Sequence, residues 1–441
     1  MEKFENINNS ESLDSRWYPR VSELILEDYT FLDGDSKQRS EEERTFLNSE
    51  KENPNLSYPN IDQQELSFNE TQLISLKKEI LDQEQNEVVR QTYRWKINEM
   101  IATIRMLKST LAKDDRRFSK YSEFIYGRPS SEVFAYEMKK VKTKIEKEVA
   151  SKDEGKKQAA LELSDLIKWE NIDTESEQIK PIHVEDPVEA DESIVTTEEA
   201  YEYFDNAIKK LNLDGWMVSI DESGKKTNFS TDQKTKEIVI PNNEQLLKRS
   251  VLLTQTKVLA LIAHELGVHA LRRNNGEKSK LQLLAIGLDR YQGGEEGLAT
   301  FKQQQVEGTK DYAGGPLHLA TSLAIGVDGE KRDFRKVFEI LKRINILSKK
   351  ESVDRIELSS KAAWRQCVRI FRGTTCKTPG AVFTKDIIYR EGNIGIWDLV
   401  QKDSNEQHRF MIGKYDPTSA RHIYVLDQLG ITEDDLKELD E

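Results

Sequence analysis

Cysteine is almost missing from this 441-residue chain, which has only Cys367 and Cys376. The two lack the paired spacing of a structural zinc cluster, so they read as reduced thiols, Cys367 as part of the core. No stretch approaches the run of roughly eighteen apolar residues that a membrane span requires, so no membrane partner is expected. The opening Met-Glu-Lys-Phe-Glu-Asn-Ile-Asn-Asn-Ser lacks the basic and apolar regions of a signal peptide, which makes the cytoplasm the default compartment. Basic residues are not in excess either. With 66 Lys and Arg against 79 Asp and Glu, the formal net charge is -13, and nucleic acid is excluded as a partner because its phosphates demand a basic face. That charge gives no general attraction to an acidic partner, for which a local basic pocket would be needed. Histidine is scarce, with six in the chain.

Two of the six share one hexapeptide, His264-Glu265-Leu266-Gly267-Val268-His269, and Glu295-Glu296-Gly297-Leu298-Ala299 follows. A catalytic zinc takes three protein ligands, commonly two His and one Glu, and leaves a fourth position open. A neighbouring glutamate then serves as base toward the attacking water. The spacing is unusual, because the common metalloprotease helix sets its histidines four apart. Five steps of a regular helix turn the second side chain roughly 140° from the first. A single i to i+5 turn would bring the rings back together, and such turns favour functional sites. A π-bulge is therefore expected at Leu266 to Val268, eased by the missing Cβ of Gly267. The competing reading is that both rings are hydrogen-bonded core residues in the apolar stretch from Val258 to Leu271. An acid between them would be a poor choice in such a core, so the metal site is preferred.

The third ligand is one member of the acidic doublet, since adjacent side chains diverge on any helix and both cannot reach one ion. Gly293-Gly294 reads as a loop end and Leu298 to Val306 as a helix, so Glu295 and Glu296 fall near a helix start, where acids are common without any ligand role.

With Leu271-Arg272 and Asn274-Asn275-Gly276 after the hexapeptide, and Glu-Glu-Gly-Leu-Ala beyond, the chain resembles the microtubule-associated tyrosine carboxypeptidases and their bacterial QEGLA-motif relatives. Further blocks carry the resemblance: Tyr93 to Glu99, Tyr126 to Ser130, Arg369 to Gly373, Thr384 to Tyr389 and Gly413-Lys414-Tyr415. It implies a zinc-dependent peptidase with His264, His269 and Glu296 as metal ligands and Glu265 as catalytic base. Where bacterial relatives often carry Gln, this chain has Glu295, and a glutamine would be a poorer zinc ligand than a carboxylate, which favours Glu296. The implied substrate is a protein or peptide C-terminus, and the implied product a C-terminal residue of tyrosine type.

The expected architecture is mostly helical α+β: a zincin-like peptidase with a small sheet beside the metal-binding helix and an N-terminal helical subdomain. Residues 1–60 read as a flexible acidic arm with a short docking segment at Trp17 to Leu32, 61–150 as the helical subdomain, 151–195 as a charged linker or insert, and 196–441 as the catalytic domain. Apolar residues from Leu73 to Leu107 recur at helical spacing, as one long helix or a pair ending near Ala112. Helices are also expected at Ser130 to Val149, Thr197 to Leu211, Gln245 to Arg272, Leu281 to Tyr291, Leu298 to Glu307, Pro316 to Ala324, Asp333 to Leu347, Ser352 to Phe371 and Pro417 to Leu429. Thr384 to Tyr389 reads as a helix or a short extended piece. Strands are expected at Trp216 to Asp221 and Glu237 to Pro241, where an exposed edge can pair with an extended peptide. His183, in the charged insert, reads as a solvated surface residue.

A carboxypeptidase also needs a cation that captures the terminal carboxylate. Arg272, Arg273, Arg369, Arg372 and Lys385 are candidates, with Arg372 and Lys385 preferred because they lie in or beside the family-like blocks. Tyr389 is a candidate donor to a developing oxyanion. Two other functions fit the same residues: a peptide-binding regulatory protein that retains the cleft without cutting, and an endopeptidase.

Overall fold

Short polar caps start the helices. The computed structural model describes residues 12–26, 31–49, 51–182, 192–224, 226, 228–248, 252–309, 311–402 and 404–432. After two short N-terminal helices, α1 (Tyr18–Ser22) and α2 (Ser36–Leu47), come α3 (Gln63–Gln83) and α4 (Glu87–Leu111). Asp62 and Asn86 accept the free N–H groups of their first turns, so the long apolar repeat resolves into a pair of helices. Then follow α5 (Asp115–Tyr126), α6 (Ser131–Val149), α7 (Glu154–Leu166) and α8 (Thr197–Lys210), the last opened by a reciprocal Thr196–Glu199 cap.

The sheet has three strands, β1 (Met217–Asp221), β2 (Ser230–Asp232) and β3 (Glu237–Pro241), in the order β1-β3-β2. β1 runs parallel to β3, and β2 pairs with it antiparallel, with Thr231 opposite Ile238. Ile238 and Ile240 share an apolar core with α8 and with Val258, Leu266 and Ala270. β2, too short and polar to be legible as a strand, is an edge. The rest of the chain is helical: α9 (Asn243–Lys248), α10 (Gln255–His264), α11 (Leu271–Lys278), α12 (Gln292–Glu307), α13 (Gly315–Ile325), α14 (Phe334–Ser348), α15 (Arg355–Phe371), α16 (Ile387–Lys402) and α17 (Ala420–Gln428). Among the described residues no helix is long and apolar enough to cross a membrane. Cys367 and Cys376 are free and buried.

Several expectations are corrected. The described part of the flexible arm is packed: Trp17 and Val21 are buried, and the Asp14 carboxylate accepts the Tyr93 hydroxyl at 2.7 Å and the Gln282 and Leu283 amides at 2.8 and 2.9 Å. A few anchors in a polar segment suffice for this, and average composition hides them. Residues 27–30 of the docking segment lie outside the described residues. The charged linker contains α7, whose Ala159, Ala160 and Leu163 are buried against α6 and α14. His183 lies outside the described residues. The helices of residues 61–150 form no core of their own: α4 and α5 share one with Leu281, Leu283, Phe383 and Tyr415, and α6 shares another with α13 to α15.

The helix expected from Leu281 to Tyr291 is only a single 3-10 turn, Gln282–Ala285, because left-handed Gly287 and Arg290 end any continuation. Nor is Gln245 to Arg272 one helix. It contains α9 and α10, then a non-regular turn leading into α11, and just before α10 the Val195 N–H donates to the Leu253 C=O at 2.8 Å.

Candidate metal centre

Thr254 caps the start of α10, and the chain leaves regular geometry at the residue after His264. Glu265–Ala270 wind as a π-helical turn, with the Leu271 N–H reaching back to the Leu266 carbonyl, before α11 resumes. The extra residue in the turn undoes the divergence that a five-residue spacing imposes on a regular helix. As a result the His264 and His269 rings lie 5.0 Å apart, centroid to centroid, at 72°. Gly267 is not what permits this. A Cβ built there would meet nothing closer than the Ile262 carbonyl at 3.7 Å, an ordinary contact.

The acidic doublet lies in the first turn of α12, which starts six residues before the expected Leu298. As adjacent residues must, the two acids diverge. Glu296 turns toward the histidines, its Oε2 4.0 Å from His264 Nε2 and 3.9 Å from His269 Nε2. One ligand atom from each of His264, His269 and Glu296 lies within 4.8 Å of the other two. Glu295 turns inward, is 3 % exposed, and accepts from His269 Nδ1 at 2.9 Å. The next residue, Gly297, is required by packing. A Cβ there would stand 2.3 Å from the Gly392 backbone, so α12, which carries Glu296, can approach α16, which carries Tyr389, only because neither helix has a side chain at the crossing.

Each imidazole is oriented through Nδ1, which leaves Nε2 facing Glu296. His264 Nδ1 meets Gln303 Oε1 at 3.1 Å, and Gln303 stands two helical turns after Glu296, on the same face. Burial and the nearby His269 hold His264 below the usual imidazole pKa, favouring the neutral ring that a metal binds. For His269, burial pushes the same way, but the hydrogen bond to Glu295 and the charge of Glu296 outweigh it and raise the pKa. Burial alone would raise the Glu295 carboxyl, yet Lys414, Arg272 and the His269 bond together hold it well below the usual range. Two imidazole nitrogens and one carboxylate, converging with both imidazole Nδ1 atoms already bonded, fit a divalent ion of the zinc type.

These groups open onto a cavity of about 580 Å³. Glu265 lines it, and its Oε2 accepts the hydroxyl of Thr231 on edge strand β2. Arg369, Arg372, Lys385 and Tyr389 line the cavity too. Asp386, fully buried, accepts from Arg369 Nε at 2.9 Å and stands 3.9 Å from Arg372. Arg372 also lies over the Phe383 ring at 4.8 Å. Lys385 is nearly buried, 5.6 Å from the Tyr126 ring. Its segment is fixed to α5, where Ser119 Oγ accepts the Val382 amide at 2.6 Å and Ser122 Oγ the Thr384 amide at 2.8 Å. The charge of Glu296, more than burial, raises the Tyr389 pKa, so that hydroxyl keeps its proton and can donate.

Thus His264, Glu265, His269, Glu296, Arg372, Lys385 and Tyr389 all border one cavity, although they come from three stretches of chain. Arg272 does not join them: it is fully buried and bound to Glu295 and to the Tyr415 carbonyl. Arg273 also lines the cavity, with its Nε donating to Glu277 at 2.9 Å. Sequence reasoning missed Thr231, which no spacing connects to Glu265. It also missed Gln303, which the seven-residue step from Glu296 could have revealed.

No curated protein matches the chain. The family model described as "Microtubule-associated tyrosine carboxypeptidase" matches residues 155–435, well over half of the sequence, and the chain belongs to that family.

Proposed function

We propose that this protein is a zinc metallopeptidase that removes a C-terminal residue from a protein or peptide. The observation that carries the reading is the convergence of His264, His269 and Glu296 in a cavity that Glu265 and the cationic side chains of Arg369, Arg372 and Lys385 also line. Family membership supports carboxypeptidase activity, and the family's name points to tyrosine as the residue released. The zincin-like unit is the segment 196–441, buttressed by N-terminal helices such as α5.

His264, His269 and Glu296 would hold the ion. Zinc, when bound, supplies a Lewis acid that acidifies water and polarises a carbonyl. Glu265 takes the proton of the attacking water and passes it to the leaving amine. The hydroxyl of Thr231 keeps that carboxylate aimed into the cavity. Arg372, with Lys385, binds the terminal carboxylate, since Arg372 has donor capacity to spare: its Nε is buried without a hydrogen-bond partner. Tyr389, still protonated, donates to the oxygen on which charge develops. An extended substrate backbone can pair with the open edge of β2.

The test is the purified full chain with peptides of free or amidated C-terminus, followed by mass loss. One residue should leave the free peptide, none the amidated one, and a chelator should stop the reaction. Glu265→Gln should hold zinc as the parent does and lose at least about a thousandfold in kcat/KM, the scale of a general base combined with its activated nucleophile. Turnover retained in that variant would remove Glu265 from the mechanism. Cleavage of the amidated peptide would make the protein an endopeptidase, and peptide binding indifferent to chelator, without mass loss, would make it a binding protein.

A further inference from the structure

Glu295 is buried beside the centre, 3 % exposed, and plays no part in the chemistry above. Its two oxygens are divided. Oε1 accepts from His269 Nδ1 at 2.9 Å and lies 3.4 Å from Lys414 Nζ, while Oε2 accepts from Arg272 Nη1. Arg272 is 0 % exposed and Lys414 4 %. Both cations are fixed in turn. Arg272 Nη2 donates to the Tyr415 carbonyl at 2.7 Å, and the Lys414 backbone pairs with Leu284 and Leu288 at 2.7 and 3.0 Å. Three buried charges are a poor means of packing, because well-fitted apolar side chains of similar volume generally serve stability as well or better. The arrangement does, however, determine which nitrogen of His269 can bind a metal. An ionised carboxylate only accepts, so His269 must donate through Nδ1 and keep its lone pair on Nε2, the atom that faces Glu296.

The other histidine is held differently. His264 Nδ1 meets the amide of Gln303, a neutral group that can present either oxygen or nitrogen and whose own NH₂ is shared with Glu307 at 3.1 Å. We propose, building on the zinc peptidase reading, that Glu295 is a positioning residue: clamped between Arg272 and Lys414, it fixes the tautomer and orientation of His269 and so sets the metal affinity of the site. His269 is then the rigid ligand and His264 the adjustable one.

The experiment is the zinc Kd of the full-length chain by chelator competition, with the thermal midpoint of the metal-free protein and the visible spectrum of the cobalt(II) form. Glu295→Gln keeps an acceptor but leaves two buried cations opposed by no charge, so it is paired with Lys414→Met, which lowers that imbalance. K414M alone should weaken zinc binding by less than about threefold, and E295Q/K414M by about tenfold or more, in the range of outer-shell partners of metal-bound histidines. The double variant should also shift the cobalt(II) bands while melting within a few degrees of K414M. An unchanged Kd and unchanged bands in E295Q/K414M would overturn the inference while leaving the zinc reading intact. A parent protein that takes up no zinc would overturn both.

Discussion

The two walls of the cavity are built on opposite plans. On the candidate metal wall, three side chains are held by hydrogen-bond partners: His264 by Gln303, His269 by Glu295 and Glu265 by Thr231. On the cationic wall a single buried carboxylate, Asp386, lies beside two arginines, hydrogen-bonded to Arg369 at 2.9 Å but 3.9 Å from Arg372. The first wall brings three ligand atoms together; in the second, the buried Nε of Arg372 has no hydrogen-bond partner. On the function proposed above, such a site would hold its substrate between a metal ion and a cation that receives a carboxylate, which is how a chain end would be told from a chain middle.

The most forceful way to break that contrast is to remove the waiting donor. Arg372→Leu should lower kcat/KM on free C-terminal peptides by on the order of 100-fold, mostly through KM, since loss of one partner of a desolvated charge pair costs about 2–5 kcal/mol. Zinc content should stay at the parent level, because Arg372 touches none of the ligands. Arg372→Lys should recover only part of the loss, as an ammonium cannot grip a carboxylate with two parallel bonds. If R372L kept its parent KM, the carboxylate would be captured elsewhere, and Lys385 would be the next residue to change.

The walls differ equally in how far they can be read from sequence. The metal wall is nearly all local: a hexapeptide with two rare histidines and a doublet of acids announces its chemistry, and the five-residue spacing itself calls for the π turn found at Glu265–Ala270. Helices with a strong apolar face and a capping residue, such as α4 behind Asn86, were legible for the same reason. The cationic wall is made by tertiary contacts. Arg369, Arg372 and Lys385 are ordinary basic residues until Asp386 and the seat provided by Ser119 and Ser122 bring them to the cavity. Arg272 shows the converse: motif position made it a candidate for substrate, and burial made it the clamp of Glu295. The docking segment expected from Trp17 is packed at Trp17, Val21 and Leu32, whereas β2 was missed because a short polar stretch acquires its structure from its partners rather than from its own periodicity.

A milder perturbation acts on the joint between the walls. Gly297→Ala puts a methyl 2.3 Å from the Gly392 backbone, so α12 and α16 must separate and carry Glu296 away from Tyr389. Overpacking of this kind costs about 1–3 kcal/mol. The expected result is a melting temperature lower by several degrees and a fall in kcat/KM of about tenfold, with zinc affinity also reduced. A variant that melted lower but turned over at the parent rate would show that the distance between the walls matters less than their separate geometries.

The smallest effect is expected at the other motif glycine, and it tests how the metal wall obtains its shape. A glycine between two histidines invites the inference that the distorted turn needs it. The surroundings say otherwise: a methyl at Gly267 meets only the Ile262 carbonyl at 3.7 Å, and the backbone there is not left-handed. The turn is held instead by Leu266 and Ala270, buried in the core shared with the sheet, by Val268, buried against Leu298 and Phe301, and by the hydrogen bonds behind each histidine. Gly267→Ala should therefore keep zinc affinity and kcat/KM within about twofold, and it should raise stability by up to about 1 kcal/mol, the helix-propensity difference between the two residues. A tenfold loss of zinc affinity in G267A would mean that backbone freedom, and not the packing and hydrogen bonds around the rings, brings the two histidines together.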